Sequence, residues 1–401
     1  MKNAEREVHV AFPEYVRRII SRLGEAGYDA YAVGGCVRDS VIGRVPNDWD
    51  VTTSADPHET MRIFADGDIR VIGTAGVRHG TVMVITGDDV CEITTFRSDG
   101  EYTDHRRPES VSFSEKVEDD LSRRDFTMNA IAAKPCEDGT RIVDPFSGIG
   151  DIGRRIIRTV GDPDKRFGED ALRIMRAVRF TSELGFDVDP DTADAANRLC
   201  NTLRFVSAER ITTELWRTLG GEYLGKAIES FGDVFERLGA SRRFCADASK
   251  TPDPRVRLAL MEECGSDGRE FFSRFRFPGK TASLVRRLLA VGDLPKDTVG
   301  VCGLMRDFGD DISTALEYIR VTGDAGYGCL ADSVKWVKEQ RIPYTLSMLQ
   351  VNGQDAVAAG FRGSDVRNAL EYLLKEVQLG RIANEKTVLE LEFSKIKTEK
   401  Q

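Results

Sequence analysis

Apolar positions recur at helical spacing near the start of the chain. Val16, Ile19, Ile20 and Leu23 fall on one face, so residues 14–26 read as an amphipathic helix. The period then changes. "DAYAVGG" reads as a short strand ending in glycines, and "VRDSVIG" resumes a helical pattern that stops at Gly43. "DWDVTT" alternates and is rich in β-branched residues, which predicts a strand. "RVIG", "GTVMVIT" and "CEITTF" supply further strands, so residues 1–150 read as mixed α/β with a mostly antiparallel sheet. After "VDPFSGIGDIG" helical periodicity takes over. "EDALRIMRAVRFTSEL", "PDTADAANRLCNTL" and "SAERITTELWRTL" are its clearest segments, and "SKTPDPR" (249–255) and "RIPYT" (341–345) punctuate the rest. The pattern predicts an α+β protein: a sheet-bearing N-terminal part followed by an all-helical remainder.

Composition changes this picture little. Of 401 residues, 41% are hydrophobic and 31% charged, an ordinary globular balance. No apolar run approaches the ~18–20 residues of a membrane span, and the first residues lack the apolar core of a signal peptide. A soluble, cytoplasmic protein is expected, with no membrane association and no protein partner implied. Eight cysteines are scattered without C-x-x-C spacing, which argues for reduced thiols and against a zinc site. The four histidines form no H-E-x-x-H motif. A net charge of −9 disfavours a chain coated in nucleic acid but leaves room for a local basic groove.

Candidate chemistry concentrates in "GGCVRDSVIGRVPNDWDV", residues 34–51. In a strand, residues i and i+2 share a side, so Asp48 and Asp50 aim two carboxylates at one place while Trp49 and Val51 face the packing side. Two such charges raise each other's pKa, and a divalent cation relieves the repulsion. Hard oxygen ligands suit Mg²⁺ held together with substrate phosphates. Gly34 and Gly35 permit a tight turn before a helix whose free backbone N–H groups suit phosphate, and Arg38 adds a guanidinium. Together these parts suit two-metal nucleotidyl transfer at an α-phosphate.

Three blocks extend the reading: "GGCVRDSVIGRVPNDWDVTTSADP", "RRDFTMNAIA" (123–132) and "RFGEDALRIMRAVRF" (166–180). With "VSAERITTEL" (206–215), "LQVNGQDAVAAGFRG" and "RIANEK", they resemble, in order and over nearly the whole chain, the class II tRNA nucleotidyltransferases. That family of the polymerase-β superfamily holds the CCA-adding enzymes and the bacterial poly(A) polymerases. The resemblance implies a catalytic head (1–150), a base-recognising neck (151–220), a helical body (221–300) and a tRNA-binding tail (301–401). It implies CTP, ATP and the tRNA acceptor arm and 3′ end as partners, and Mg²⁺ as cofactor. By the same resemblance Asp48 and Asp50 hold the metals, and Gly35 and Arg38 meet the triphosphate. Glu92 is a candidate third acid, although a solvated strand residue explains it equally well. Arg124, supported by Asp125 and Asn129, reads the ribose. Asp170 and Arg173, expected as i,i+3 neighbours on a helix, read the base. C and A both show an amino donor beside a ring-nitrogen acceptor, which an Asp–Arg pair complements, whereas G and U mismatch it. Arg176 and Arg179 are expected to support the base and phosphates.

The resemblance leaves the family member open. "GVRHGTVMV" (76–84) is similar to the CCA-adding version, and "TTFRSDGEYTDHRRPESVSF" (94–113) looks complete, which disfavours a CC-adding enzyme. Full CCA addition is expected, with A-only addition as the alternative and poly(A) polymerase or a non-catalytic RNA-binding relative behind it. "REFFSRFRFPGK" and "SLVRR" collect Arg269, Arg274, Arg276, Lys280, Arg286 and Arg287. These either grip tRNA phosphates or form a solvated face, and the interleaved phenylalanines read as core.

Overall fold

The computed structural model describes residues 10–65, 69–72, 77, 80–99, 111–262 and 274–399. Arg269, residues 76, 78 and 79 of the segment 76–84, and residues 100–110 of the segment 94–113 lie outside them. The chain divides into two compact units, Met1–Gly239 and Ala240–Gln401.

The first unit opens with α1 (Glu14–Glu25), which buries Val16, Ile19, Ile20 and Leu23 as its spacing predicts. β1 (Ala30–Val33) is buried throughout. A glycine turn leads to α2 (Gly35–Val41), and β2 (Trp49–Thr53) follows. After α3 (Pro57–Ile63) come β3 (Ile69–Ile72), β4 (Thr81–Thr86) and β5 (Asp89–Thr95). The two short strands β6 (Arg97–Asp99) and β7 (Val111–Phe113) pair with each other. Then come α4 (Val117–Ser122), a 3₁₀ turn at Thr127–Asn129, β8 (Ala132–Cys136) and β9 (Gly139–Val143). Seven strands form one sheet in the order β3-β4-β5-β2-β1-β8-β9, antiparallel except for the β2–β5 pair. Tyr31, Val33, Phe96, Leu121, Ala132 and Val160 pack together beneath it.

Beyond the sheet the unit is helical except for a short parallel pair, Ile156–Ile157 with Asp187–Val188, which the expected all-helical remainder lacked. Its helices are α5 (Gly148–Arg154), α6 (Pro163–Glu169), α7 (Leu172–Leu184), α8 (Pro190–Arg198) and α9 (Ala208–Gly220). α7 packs against α6, α9 and the helix Leu224–Ser230. That wrapping explains why most of α7 is buried, its arginines Arg173 and Arg179 included. The continuous helix expected from "EDALRIMRAVRFTSEL" is broken. Asp170 adopts an extended backbone (φ −141°, ψ 104°) between α6 and α7, and its Oδ1 accepts the Leu172 N–H at 3.0 Å. An aspartate that caps the next helix competes with continuing the last one.

The second unit is helical in all its described elements. Its helix starts carry local caps: Asp253 accepts the Arg255 N–H, Asp297 the Gly300 N–H, and Asn352 with Asp355 forms a reciprocal capping box. Leu373, Leu389 and Phe393, all fully buried, anchor a core near its C-terminal end, where the Phe361 and Phe393 rings lie 5.5 Å apart. No described helix is long and apolar enough to cross a membrane.

Candidate active site

β2 explains the acid pair. Trp49, Val51, Thr52 and Thr53 are buried, and Asp50 alone on this strand is exposed. Asp48 stands one residue ahead of the strand and is also exposed. The parallel register sets Asp50 beside Glu92 of β5, so the two side chains share a face. Solvent reaches Asp50, yet desolvation by the protein around it raises its carboxyl above the usual value. Arg124 opposes this, while Glu92 and Asp48 add to it. Three carboxylates therefore crowd one place.

This crowding fits a divalent cation. Among the described residues no three His, Cys, Asp or Glu side chains close into a cage of their own. Mg²⁺ uses one or two carboxylates and completes its octahedron with water and substrate phosphates. Beneath the acids the Cys36 and Cys91 thiols are pushed up by burial, Cys36 to about 11, so both stay neutral. Cys36 donates to Val33 O and Cys91 to Trp49 O.

The glycine turn lies next to the acids. Gly34 has φ 83°, in the left-handed region that favours glycine, and a Cβ there would stand 2.9 Å from Arg124 Nη1. The turn thus lets Arg124 lie over it. Arg38 is nearly buried, and its donors are engaged. Nε and Nη2 reach Asp39 Oδ1 at 2.9 and 2.8 Å, and Nη1 donates to Asn129 Oδ1 at 2.8 Å.

The ribose-block residues continue this network. Asn129 Nδ2 donates to Asp125 Oδ1 at 3.0 Å, and Arg176 Nε donates to Asp125 Oδ2 at 2.6 Å. Burial works to raise the Asp125 carboxyl, but Arg176, Asn129 and Arg173 outweigh it and hold it well below the usual carboxylate range. Arg38, Arg176 and Arg179 all stack on the Phe180 ring, at 4.9, 5.3 and 4.0 Å from its centroid.

Asp170 and Arg173 do not pair with each other. Asp170 Oδ2 accepts from Arg210 Nη2 at 2.8 Å. Arg173 Nη1 donates to Glu169 Oε2 at 2.6 Å, and its Nη2 to the Arg123 carbonyl at 2.8 Å. The two are not on one helix as expected, but they remain neighbours, since the Arg173 N–H donates to the Asp170 carbonyl at 2.9 Å. Arg179 is buried between Glu214 Oε2 (2.5 Å) and Glu183 Oε2 (2.8 Å), the geometry of an internal strut.

Two buried acids escaped the sequence reading. Glu214 on α9 holds Arg179, with Arg176 Nη1 at 3.8 Å. Asp120 on α4 holds Arg123 and Arg124. For Asp120 the signal was present, since both arginines follow it at i+3 and i+4. Glu214 had none, because its partners lie 35 and 38 positions upstream.

In the second unit, Arg274, Arg276, Lys280 and Arg286 are exposed. Arg287 is tied internally, to Asp307 O at 2.5 Å and Asp311 Oδ2 at 3.0 Å. Phe275 is buried, as the core reading of these phenylalanines expects.

Known proteins resemble this chain closely. A family model described as the poly A polymerase head domain matches residues 30–158. A second, described as "Probable RNA and SrmB- binding site of polymerase A", matches residues 185–231. The CCA-adding enzyme of Geobacillus stearothermophilus is 38% identical over 393 residues, covering 92% of this chain and 93% of its own. That of Levilactobacillus brevis is 46% identical over 401 aligned residues, covering 94% and 96%. Among solved structures, the Bacillus stearothermophilus CCA-adding enzyme in complex with CTP aligns with a TM-score of 0.78 and 33% identity, over 97% of this chain and 99% of that one. The Thermotoga maritima CCA-adding enzyme complexed with tRNA, at 18% identity and a TM-score of 0.70, shares the fold.

Proposed function

Because this chain belongs to the family of CCA-adding enzymes, we propose that it builds the 3′-terminal CCA of tRNA from CTP and ATP. It does so without a nucleic-acid template, in the cytoplasm, and releases pyrophosphate. The observation that carries this reading is the crowding of Asp48, Asp50 and Glu92 on one face beside a glycine turn overlain by Arg124.

Asp48 and Asp50 would hold Mg²⁺, with Glu92 on the same face as the candidate third acid. The bound metal supplies activation of the attacking 3′-hydroxyl and neutralises charge on the transferred phosphate. The protein's own groups do the rest. The turn at Gly34 and Gly35 keeps side chains clear of the triphosphate, and Arg38 reaches it by exchanging its bond to Asp39. Arg124 meets the ribose from over the turn, and Asp125 and Asn129 hold the block in shape. Asp170 accepts from the amino group of C or A, and Arg173 donates to the neighbouring ring nitrogen. Arg176 and Arg179 brace this wall from behind. In the division of labour we assign, residues 1–150 carry the chemistry and 151–220 choose the base. The body (221–300) and tail (301–401) hold the tRNA.

The 3′ ends made from three tRNA transcripts test the reading: one lacking CCA, one ending in C and one ending in CC. Completion of all three to CCA is expected. Extension of the CC transcript alone would make the protein an A-adding enzyme. A halt at CC would make it a CC-adding enzyme, and long adenosine runs a poly(A) polymerase. No addition at all would leave an RNA-binding relative without catalysis.

The exposed basic cluster has its own test. Reversing Arg274, Arg276 and Lys280 to Glu should weaken tRNA binding. It should also flatten the dependence of log K on log salt by about 0.7–0.9 for each phosphate that the protein no longer neutralises. An unchanged slope returns these residues to a solvated face. Arg287, tied to Asp311, is left out of the variant.

A further inference from the structure

Asp120 has no exposed surface, yet it is ionised. Burial acts to raise its carboxyl, and Arg124 and Arg123 together hold it below the usual value. The two oxygens are divided between the two arginines. Oδ1 accepts from Arg123 Nε at 3.0 Å and Nη2 at 2.6 Å, and Oδ2 accepts from Arg124 Nη2 at 3.0 Å. A buried charge pair of this kind contributes little net stability over a well-packed apolar substitute. Folding alone does not account for it.

What it does account for is the attitude of Arg124. One guanidinium nitrogen is anchored on Asp120. Nη1 projects over Gly34, where a Cβ would lie 2.9 Å away. Nε is buried with no hydrogen-bond partner among the described residues. The same guanidinium is close enough to Asp50 to lower its carboxyl. Arg124 is thus fastened at one end, with Nη1 lying over the glycine turn and the guanidinium close to Asp50. Its neighbour Arg123, fastened to the other oxygen, offers its carbonyl to Arg173.

We infer that Asp120 is a positioning residue for the incoming nucleotide: it fixes Arg124 across the glycine turn, in reach of the sugar and triphosphate, before the nucleotide arrives. The inference rests on the reading of Arg124 as a nucleotide ligand. A preset guanidinium needs no ordering when the nucleotide binds, so loss of the anchor weakens nucleotide capture more than turnover.

The test uses the full chain with saturating tRNA and measures KM and kcat for CTP and ATP, together with KM for tRNA. Asp120→Asn keeps the volume of the side chain but turns an acceptor into a donor facing a cation. It should raise KM for both nucleotides about tenfold, with kcat and KM for tRNA each within about twofold of wild type. In an Arg124→Ala background the same change should add less than about twofold, because the residue acts through Arg124. Asp120→Glu guards against a folding failure, since it keeps the charge and displaces it by one methylene. It too should raise the nucleotide KM. Wild-type nucleotide KM in a folded Asp120 variant overturns the inference, as does a loss that simply multiplies with Arg124→Ala. If Arg124→Ala itself leaves nucleotide KM unchanged, the ligand reading beneath the inference fails. A raised KM in Arg124→Ala beside a normal one in Asp120→Asn removes the positioning role alone.

Discussion

Replacing Asp48 or Asp50 with alanine should abolish the addition of C and of A alike while tRNA still binds. Both acids serve the same bond-forming step, so neither base is spared. Losing a metal ligand removes several kcal/mol of transition-state stabilisation, or about a thousandfold in rate and more. The structure adds a second expected result. Asp50 is the outward residue of a strand whose other side chains are buried, and its carboxyl is raised by burial and by its acidic neighbours. Removing it relieves repulsion without opening a cavity, so Asp50→Ala should melt at or above the wild-type temperature in metal-free buffer. Single-turnover extension assays and thermal melts check both halves. Near-normal turnover in either variant would refute the metal assignment.

Base choice is the second large effect. Asp170→Ala removes the acceptor for the amino group, so U should compete better against C. Arg173→Ala removes the donor to the ring nitrogen and should depress incorporation of both C and A. An unpaired buried polar group costs ~1–3 kcal/mol, or roughly tenfold to a hundredfold in discrimination. Asp170 also accepts the first N–H of α7, that of Leu172, and pairs with Arg210, and losing a bond of this capping kind costs about 1 kcal/mol of stability. Arg210→Ala separates the two roles, since it frees Asp170 without deleting it. Competition between C and U and between A and G, run on all three variants, should show altered ratios for Asp170→Ala and Arg173→Ala and a near-normal ratio for Arg210→Ala. Unaltered ratios in folded Asp170 and Arg173 variants mean that these side chains do not read the base.

The local part of this architecture was legible. Alternation in "DWDVTT" placed Trp49 and Val51 inward and Asp50 outward because a strand leaves a side chain only two directions. The spacing of Val16, Ile19, Ile20 and Leu23 gave α1 its buried face for a similar reason. Distant pairings were not legible. Whether Glu92 joins the acids depends on the β2–β5 register, which no local pattern encodes. The break at Asp170 was hidden because "EDALRIMRAVRF" has good helical periodicity, and capping chemistry overrides periodicity without disturbing it. The burial of Asp120 and Glu214 was not legible, since burial of a charge is decided by what packs over it. The wider site list came from resemblance to a family, and sequence physics alone would have stopped at the glycine turn and the acid pair.

The side chain of Phe180, surrounded by Arg38, Arg176 and Arg179, has a consequence for how such a protein can diverge. Arg176 and Arg179 share the carboxylates of Asp125, Glu214 and Glu183, so neither can be exchanged independently. Losing Arg179 leaves the buried Glu214 with Arg176 at 3.8 Å, a weakened pairing that costs up to about 3–5 kcal/mol, and lysine cannot reproduce a guanidinium that stacks and forks at once. A single substitution in this cluster should therefore cost more stability than a paired replacement. Variation in nucleotide preference among descendants of this chain should therefore collect at the half-exposed edge, at Asp170, while the arginines around the ring persist or are replaced together.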